Sequence, residues 1–147
     1  MGEFWPVGDV LAYLGGSWRV ERAVRDLAHD AAGRFTGTTV FGPLGTGELQ
    51  HHESGTFVWQ GVARPAERTL RFLPGPGPGT ALVRFADGRP FHDLDLRSGR
   101  YVADHPCSAD LYRGEFTVQG EHRWRTVWRV RGPAKDLVLT TDYLRVD

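Results

Sequence analysis

From His122 to Arg131 the chain alternates with a period of two. His122, Trp124, Thr126, Trp128 and Val130 fall on one side, and Arg123, Arg125, Val127, Arg129 and Arg131 on the other. Successive side chains of an extended chain point to opposite faces, so this pattern specifies a strand with an aromatic face inward and guanidinium groups in water. A helix would bring Trp124 and Trp128 together, but it would also set Arg125 and Arg129 on the adjoining stripe. A chain carrying such a strand must place it in a sheet that buries one face only.

The rest of the sequence supplies that sheet. Nineteen Gly and nine Pro cut the chain into strand-length intervals. Further strands are expected over Ser17–Val24, Arg34–Phe41, Glu48–His52, Phe57–Ala63, Thr69–Leu73, Ala81–Phe85, Phe91–Leu96, Leu111–Val118 and Leu137–Arg145. Asp87-Gly88 has the composition of a tight hairpin. Gly120 and Ser98-Gly99 mark two more turns, and Gly132-Pro133 stops the Trp-rich strand because proline cannot donate to a ladder. The run from Pro74 to Gly79 alternates Pro and Gly; strand signals continue on both sides, so it reads as an exposed loop. The one helical candidate is Val7–Leu14, with Val10, Leu11 and Leu14 as its apolar stripe and Gly15-Gly16 as its stop.

About nine or ten antiparallel strands have edges to hide, and either a barrel or a two-sheet sandwich hides them. Inward faces rich in Gly, Thr and aromatic residues suit a barrel with an internal cavity better than a dry sandwich core. The expected fold is thus all-β, a single antiparallel β-barrel over residues 1–147 with a short N-terminal helix. A 40% apolar, 24% charged composition is that of a globular chain. Eighteen basic and eighteen acidic residues cancel, which argues against a nucleic-acid or anionic-membrane binder. The single Cys107 excludes an intrachain disulfide and suits a reducing cytoplasm.

The run Leu14-Gly15-Gly16-Ser17-Trp18-Arg19 resembles the Gly-x-Trp opening of the calycin superfamily, which includes lipocalins and fatty-acid-binding proteins. The resemblance implies a lipocalin-like barrel in which Trp18 packs across the closed end after a short helix. It also implies a late arginine over that Trp, for which Arg145 is the nearest candidate. Four longer segments, beginning at His52, Phe85, His105 and Trp128, are similar to a group of bacterial lipocalin-like proteins of unknown function. That similarity implies a barrel with a pocket and brings no activity, cofactor or catalytic residue with it.

The densest polar cluster is Asp87, Arg89, His92 and Asp93, followed by His105, Cys107, Asp110 and Tyr112. On a strand His92 shares a face with Leu94 and Leu96, and Phe91 shares the other with Asp93 and Asp95. Asp110, Tyr112, Gly114 and Phe116 share a face that reads as interior. The expected ligand contacts are Arg89, His92, Tyr112, His122, Trp124 and Trp128: aromatic walls with a few polar handles, the usual make-up of a small-molecule pocket. An inward Arg89 would clamp a carboxylate or phosphate in bidentate fashion. Each polar member also has a purely structural reading, as a hydrogen-bonded buried group. His105, Cys107 and Asp110 are ligand types that zinc accepts, but their spacing matches no common motif. The adjacent His51 and His52 point to opposite faces of a strand, so no metal and no cofactor are expected.

The function these residues suggest is intracellular binding of a small, partly apolar molecule inside the barrel. The alternative is a cofactor-free isomerase, cyclase or lyase, with His92 as acid or base and Asp110 and Tyr112 orienting it. Pairing of two copies through a strand edge or an aromatic patch is a third expectation.

Overall fold

The computed structural model describes residues 4–146. It contains one short helix, α1 (Val10–Leu14), and ten strands: β1 (Gly16–Asp26), β2 (Ala31–Leu44), β3 (Glu48–Trp59), β4 (Val62–Pro74), β5 (Thr80–Phe85), β6 (Pro90–Asp95), β7 (Arg100–Cys107), β8 (Asp110–Gly120), β9 (Arg123–Gly132) and β10 (Lys135–Val146). All pairings are antiparallel between chain neighbours, except that β1 also pairs with β10, from Ser17 opposite Val146 to Asp26 opposite Leu137. The sheet runs from β6 through β1 and β10 to β7, and curls into a nearly closed barrel whose seam lies between β6 and β7. The Tyr101 hydroxyl of β7 donates to the Asp93 carboxylate of β6 across that seam.

Alternation along each strand decides what faces in. Trp18 and Val20 of β1, Phe35, Thr39 and Phe41 of β2, His51 and Glu53 of β3, and Trp124, Thr126 and Val130 of β9 are buried. One end of the barrel is plugged. Trp18 lies at that end with Val10, Leu14, Phe41, Phe72, Leu94, Leu96 and Val118 in one apolar cluster. The Asp9 side chain caps α1 by accepting from the Ala12 amide, so the helix begins at Val10 rather than Val7. The segment before it is pinned across the same end, with the Trp5 amide donating to Val118, Val7 to Leu96 and Val10 to Pro78. The Pro74–Gly79 loop is thereby held against α1.

Three local expectations need correction. The segment 57–63 is not one strand but the corner between β3 and β4: Gln60 and Gly61 both take positive φ, at 50° and 79°. The apolar residues on either side of that corner hide a turn that has only one glycine. Strand β7 was not expected, because Tyr101 and Ala103 inside and Val102 and Pro106 outside give little polarity contrast. His122 lies in the turn before β9, which starts at Arg123.

Candidate functional site

The end of the barrel opposite α1 is formed by the end of β1, the start of β2, the β3–β4 corner, and the ends of β8, β9 and β10 that meet there. Inside it lies a cavity of about 260 Å³ lined by Val24, Phe35, Phe57, Ala66 and Leu139, with Arg22, Glu53, Glu67 and Arg68 as its polar members. A second space of about 100 Å³ shares Arg22, Arg68 and Leu139 with it and adds Phe91, Tyr112, Thr141 and Trp128. A third, of about 30 Å³, lies deeper among His51, His92, Phe116, Trp124 and Tyr143. The three spaces adjoin in steps around Arg68, which lines each of them.

At its floor Arg22 and Glu53 form a two-pronged ion pair, with Arg22 Nη1 2.8 Å and Nη2 2.9 Å from the two carboxylate oxygens. Arg22 Nε donates to the Thr141 hydroxyl at 2.7 Å, and the Thr39 hydroxyl donates to Glu53 at 3.0 Å. The guanidinium also lies 5.2 Å from the centroid of the Phe35 ring. The side chains are 12% and 3% exposed, so the pair is withdrawn from water, and each charge is held by the other and by hydroxyl groups. Burial would raise the Glu53 carboxyl, but the Arg22 hydrogen bond and the charges of Arg68 and Arg22 outweigh it and hold the group near 2. His51 is displaced in the opposite sense for its charge: burial, helped by Arg68, lowers it to about 3 and keeps it neutral.

The aromatic wall is built as alternation specifies. Trp124 stacks face to face on Tyr143, 3.7 Å between centroids and 3° between planes, and meets Trp18 edge-on at 6.0 Å. Trp128 is half-buried further towards the mouth and lies parallel to Phe91 at 5.4 Å. Phe91 reaches the interior because of a bulge. Val83 pairs with His92 but Arg84 pairs with Pro90, so Phe91 is the extra residue and both it and His92 turn inward. Strict alternation places Phe91 outside, and the bulge overrides it.

His92 Nδ1 lies 2.6 Å from the Asp93 carbonyl, which must accept, so the proton is on Nδ1 and Nε2 carries the lone pair. Burial lowers its pKa to about 4. Tyr112 lines the middle space, across from Arg22 and beside His105. Asp110 stands at the rim, 3.1 Å from Lys135 Nζ. His92, Tyr112 and Asp110 share no hydrogen bond with one another. Arg89 lies outside the barrel: its guanidinium is 76% exposed and pairs with Asp87 across the hairpin at 2.7 Å. The His122 ring, 67% exposed beside Glu121, also lies outside. Both sit in turns, where the strand period that would aim them inward does not apply. His105 packs against Phe85 and Phe91, and Cys107 is exposed at the end of β7.

A model of the DUF6314 family, a family of unknown function, matches residues 14–145. The chain belongs to that family. No curated protein matches it. Among solved structures, this DUF6314 barrel is similar to an S-type phycobiliprotein lyase from Guillardia theta, with a TM-score of 0.69 at 8% identity over 97% of this chain and 94% of the other. A protein of unknown function from the DUF3598 family of Nostoc punctiforme gives 0.66 at 12% identity, over 98% of this chain and 51% of the other. A de novo fluorescence-activating β-barrel gives 0.52 at 13% identity, over 95% and 100%. At these identities the likeness is one of fold.

The polar residues of the DUF6314 interior that sequence reasoning missed are Arg22, His51, Glu53, Arg68, Thr141 and Tyr143. The signal was present. Counting by twos from the inward Trp18 passes Val20 and lands on Arg22, and counting from His51 lands on Glu53.

Proposed function

We propose that this protein binds a small, partly apolar molecule in the open half of its barrel. The observation that carries this reading is the stepped cavity itself: apolar walls from Val24, Phe35, Phe57 and Leu139 above a floor whose buried charges are already paired. A barrel interior needed only for stability would be filled by its own side chains. Trp128 and Phe91 supply a flat platform, and Tyr112 and His92 Nε2 supply polar contacts beside it. The exposed single thiol of Cys107 fits a reducing compartment such as the cytoplasm. A catalytic reading would need His92, Asp110 and Tyr112 to act together, and Asp110 is engaged by Lys135 at the rim.

The test is retention of a ligand from cell extract. The purified protein is incubated with extract, re-isolated and weighed by native mass spectrometry. A small-molecule adduct is expected, and it should be lost from an Ala66→Phe variant whose new ring fills the outer cavity. An adduct that survives this substitution, or none at all in the unaltered protein, would refute the reading.

A further inference from the structure

We propose that the molecule held in this cavity is a monoanion, a carboxylate on a flat apolar body, and that Arg68 is the group that anchors it. The inference rests on the binding reading above and assigns the ligand's chemical class. Arg22 and Arg68 both line the cavity, but they stand differently. Arg22 spends its guanidinium edge on the two oxygens of Glu53 and on Thr141. Arg68 Nη2 makes only a loose ion pair with Glu53 Oε1, at 3.8 Å and so beyond hydrogen-bonding distance, and its side chain is 47% exposed.

Among the described residues, two guanidinium groups of the cavity, Arg22 and Arg68, thus share the one buried carboxylate, Glu53. Glu53 is matched by Arg22, and His51 and His92 are kept neutral by burial. Glu67, the other carboxylate at the mouth, is exposed. A monoanion completes this set; a phosphate dianion would bring an unmatched negative charge into an apolar chamber. A guanidinium presents parallel N–H groups that fit the two oxygens of a carboxylate. Position agrees with charge. Arg68 borders all three steps of the interior, between the Phe35–Phe57 side and the Trp128–Phe91 side. A headgroup on Arg68 thus leaves an attached ring system against either aromatic surface. Deeper in, His51 Nδ1 and Trp124 Nε1 are buried with no hydrogen-bond partner among the described residues, and both residues line the smallest step with Arg68.

The experiment compares 2-naphthoate, the neutral 2-naphthamide and 2-naphthyl phosphate by isothermal titration against the full chain. Naphthoate should bind at least about tenfold tighter than the amide, a difference of about 1.4 kcal/mol, and tighter than the phosphate. Arg68→Met should weaken naphthoate by about tenfold and the amide by less than about threefold, whereas Arg68→Lys should keep most of the preference. Circular dichroism checks that both variants fold. Equal affinity for naphthoate and amide, or a preference that survives Arg68→Met, overturns the assignment and leaves the binding reading standing. Tighter binding of the phosphate overturns the monoanion. Failure of all three probes to bind overturns the assignment, while the reading beneath it stands or falls with the adduct from cell extract.

Discussion

The guanidinium of Arg145 lies 4.1 Å from the centroid of the Trp18 ring and donates to the carbonyl of Gly15 at 3.0 Å and to that of Tyr13. Trp18 in turn donates from Nε1 to the Leu14 carbonyl at 2.8 Å. One residue near the end of the last strand thus ties down the end of α1 and covers the indole that closes the barrel. The helix is too short to hold itself, so its position depends on these bonds and on burial of Val10 and Leu14.

Replacing Arg145 by Leu should therefore cost about 2–4 kcal/mol, because a desolvated cation–π contact and two charge-assisted hydrogen bonds go together. Arg145→Lys should recover less than half of that, since an ammonium cannot both stack and fork. Urea denaturation midpoints measure both. Binding at the far end of the barrel should be unchanged in each variant that remains folded.

What the sequence discloses and what it hides follow from how strongly each residue type contrasts with its neighbours. Trp18, the alternation of β9 and the Gly-x-Trp run are legible because aromatic and arginine residues leave no doubt about sides. Arg22 and Glu53 are hidden because charged side chains ordinarily face water, although their register is as clear as that of Trp124. Phe91 is hidden for another reason: a bulge changes the period by one residue, and nothing in the Pro90-Phe91-His92 run signals it. Arg89 and His122 stand in turns, where the strand period does not apply, and the guanidinium groups that line the cavity belong to the strand residues Arg22 and Arg68.

The Arg22–Glu53 pair should behave as a buried pair does. Glu53→Leu alone leaves a withdrawn guanidinium without its partner and should cost about 3–5 kcal/mol. Replacing both, Arg22→Met with Glu53→Leu, should recover most of that loss, as apolar groups of similar volume take up the space. A double-mutant cycle by chemical denaturation measures the coupling. Independent, additive losses would show that the two charges do not depend on each other.

Acid should destabilise the protein in two steps. His51 and His92 are held neutral, at about 3 and about 4 against an ordinary 6.5, first by burial and then, for His51, by Arg68. The unfolded chain binds more protons at these sites below pH 6.5, so stability falls from that pH down through 4 to 3. Glu53 acts in the same direction but later: its contribution is complete above 4.5 and is lost as pH falls through about 2. Unfolding free energies from pH 8 to 3 should therefore start to decline near 6.5, and His51→Phe should flatten the upper part of the curve. A profile that is level down to pH 5 in the unaltered protein would contradict the burial of neutral histidines.

The two tryptophans of the aromatic wall should respond differently to substitution. Trp124 is 4% exposed, sandwiched against Tyr143 and edge-on to Trp18, so Trp124→Ala should cost about 3–5 kcal/mol and reach the plugged end of the barrel. Trp128 is half-buried and owes its place to the strand beside it. Its paired residue on β8 is Gly114, and a Cβ there would come within 2.5 Å of the indole. Only a glycine lets the ring lie flat over β8 and stack on Phe91. Gly114→Ala should therefore push the Trp128 ring off its seat at a modest cost to stability, and Trp128→Phe should cost less still. Both should weaken capture of a flat ligand by about tenfold. Tryptophan emission gives the measurement. Quenching by 2-naphthoate should persist in Trp124→Phe and fall sharply in Trp128→Phe and Gly114→Ala. Quenching that instead follows Trp124 would move the ligand from the mouth of the barrel to its deepest chamber.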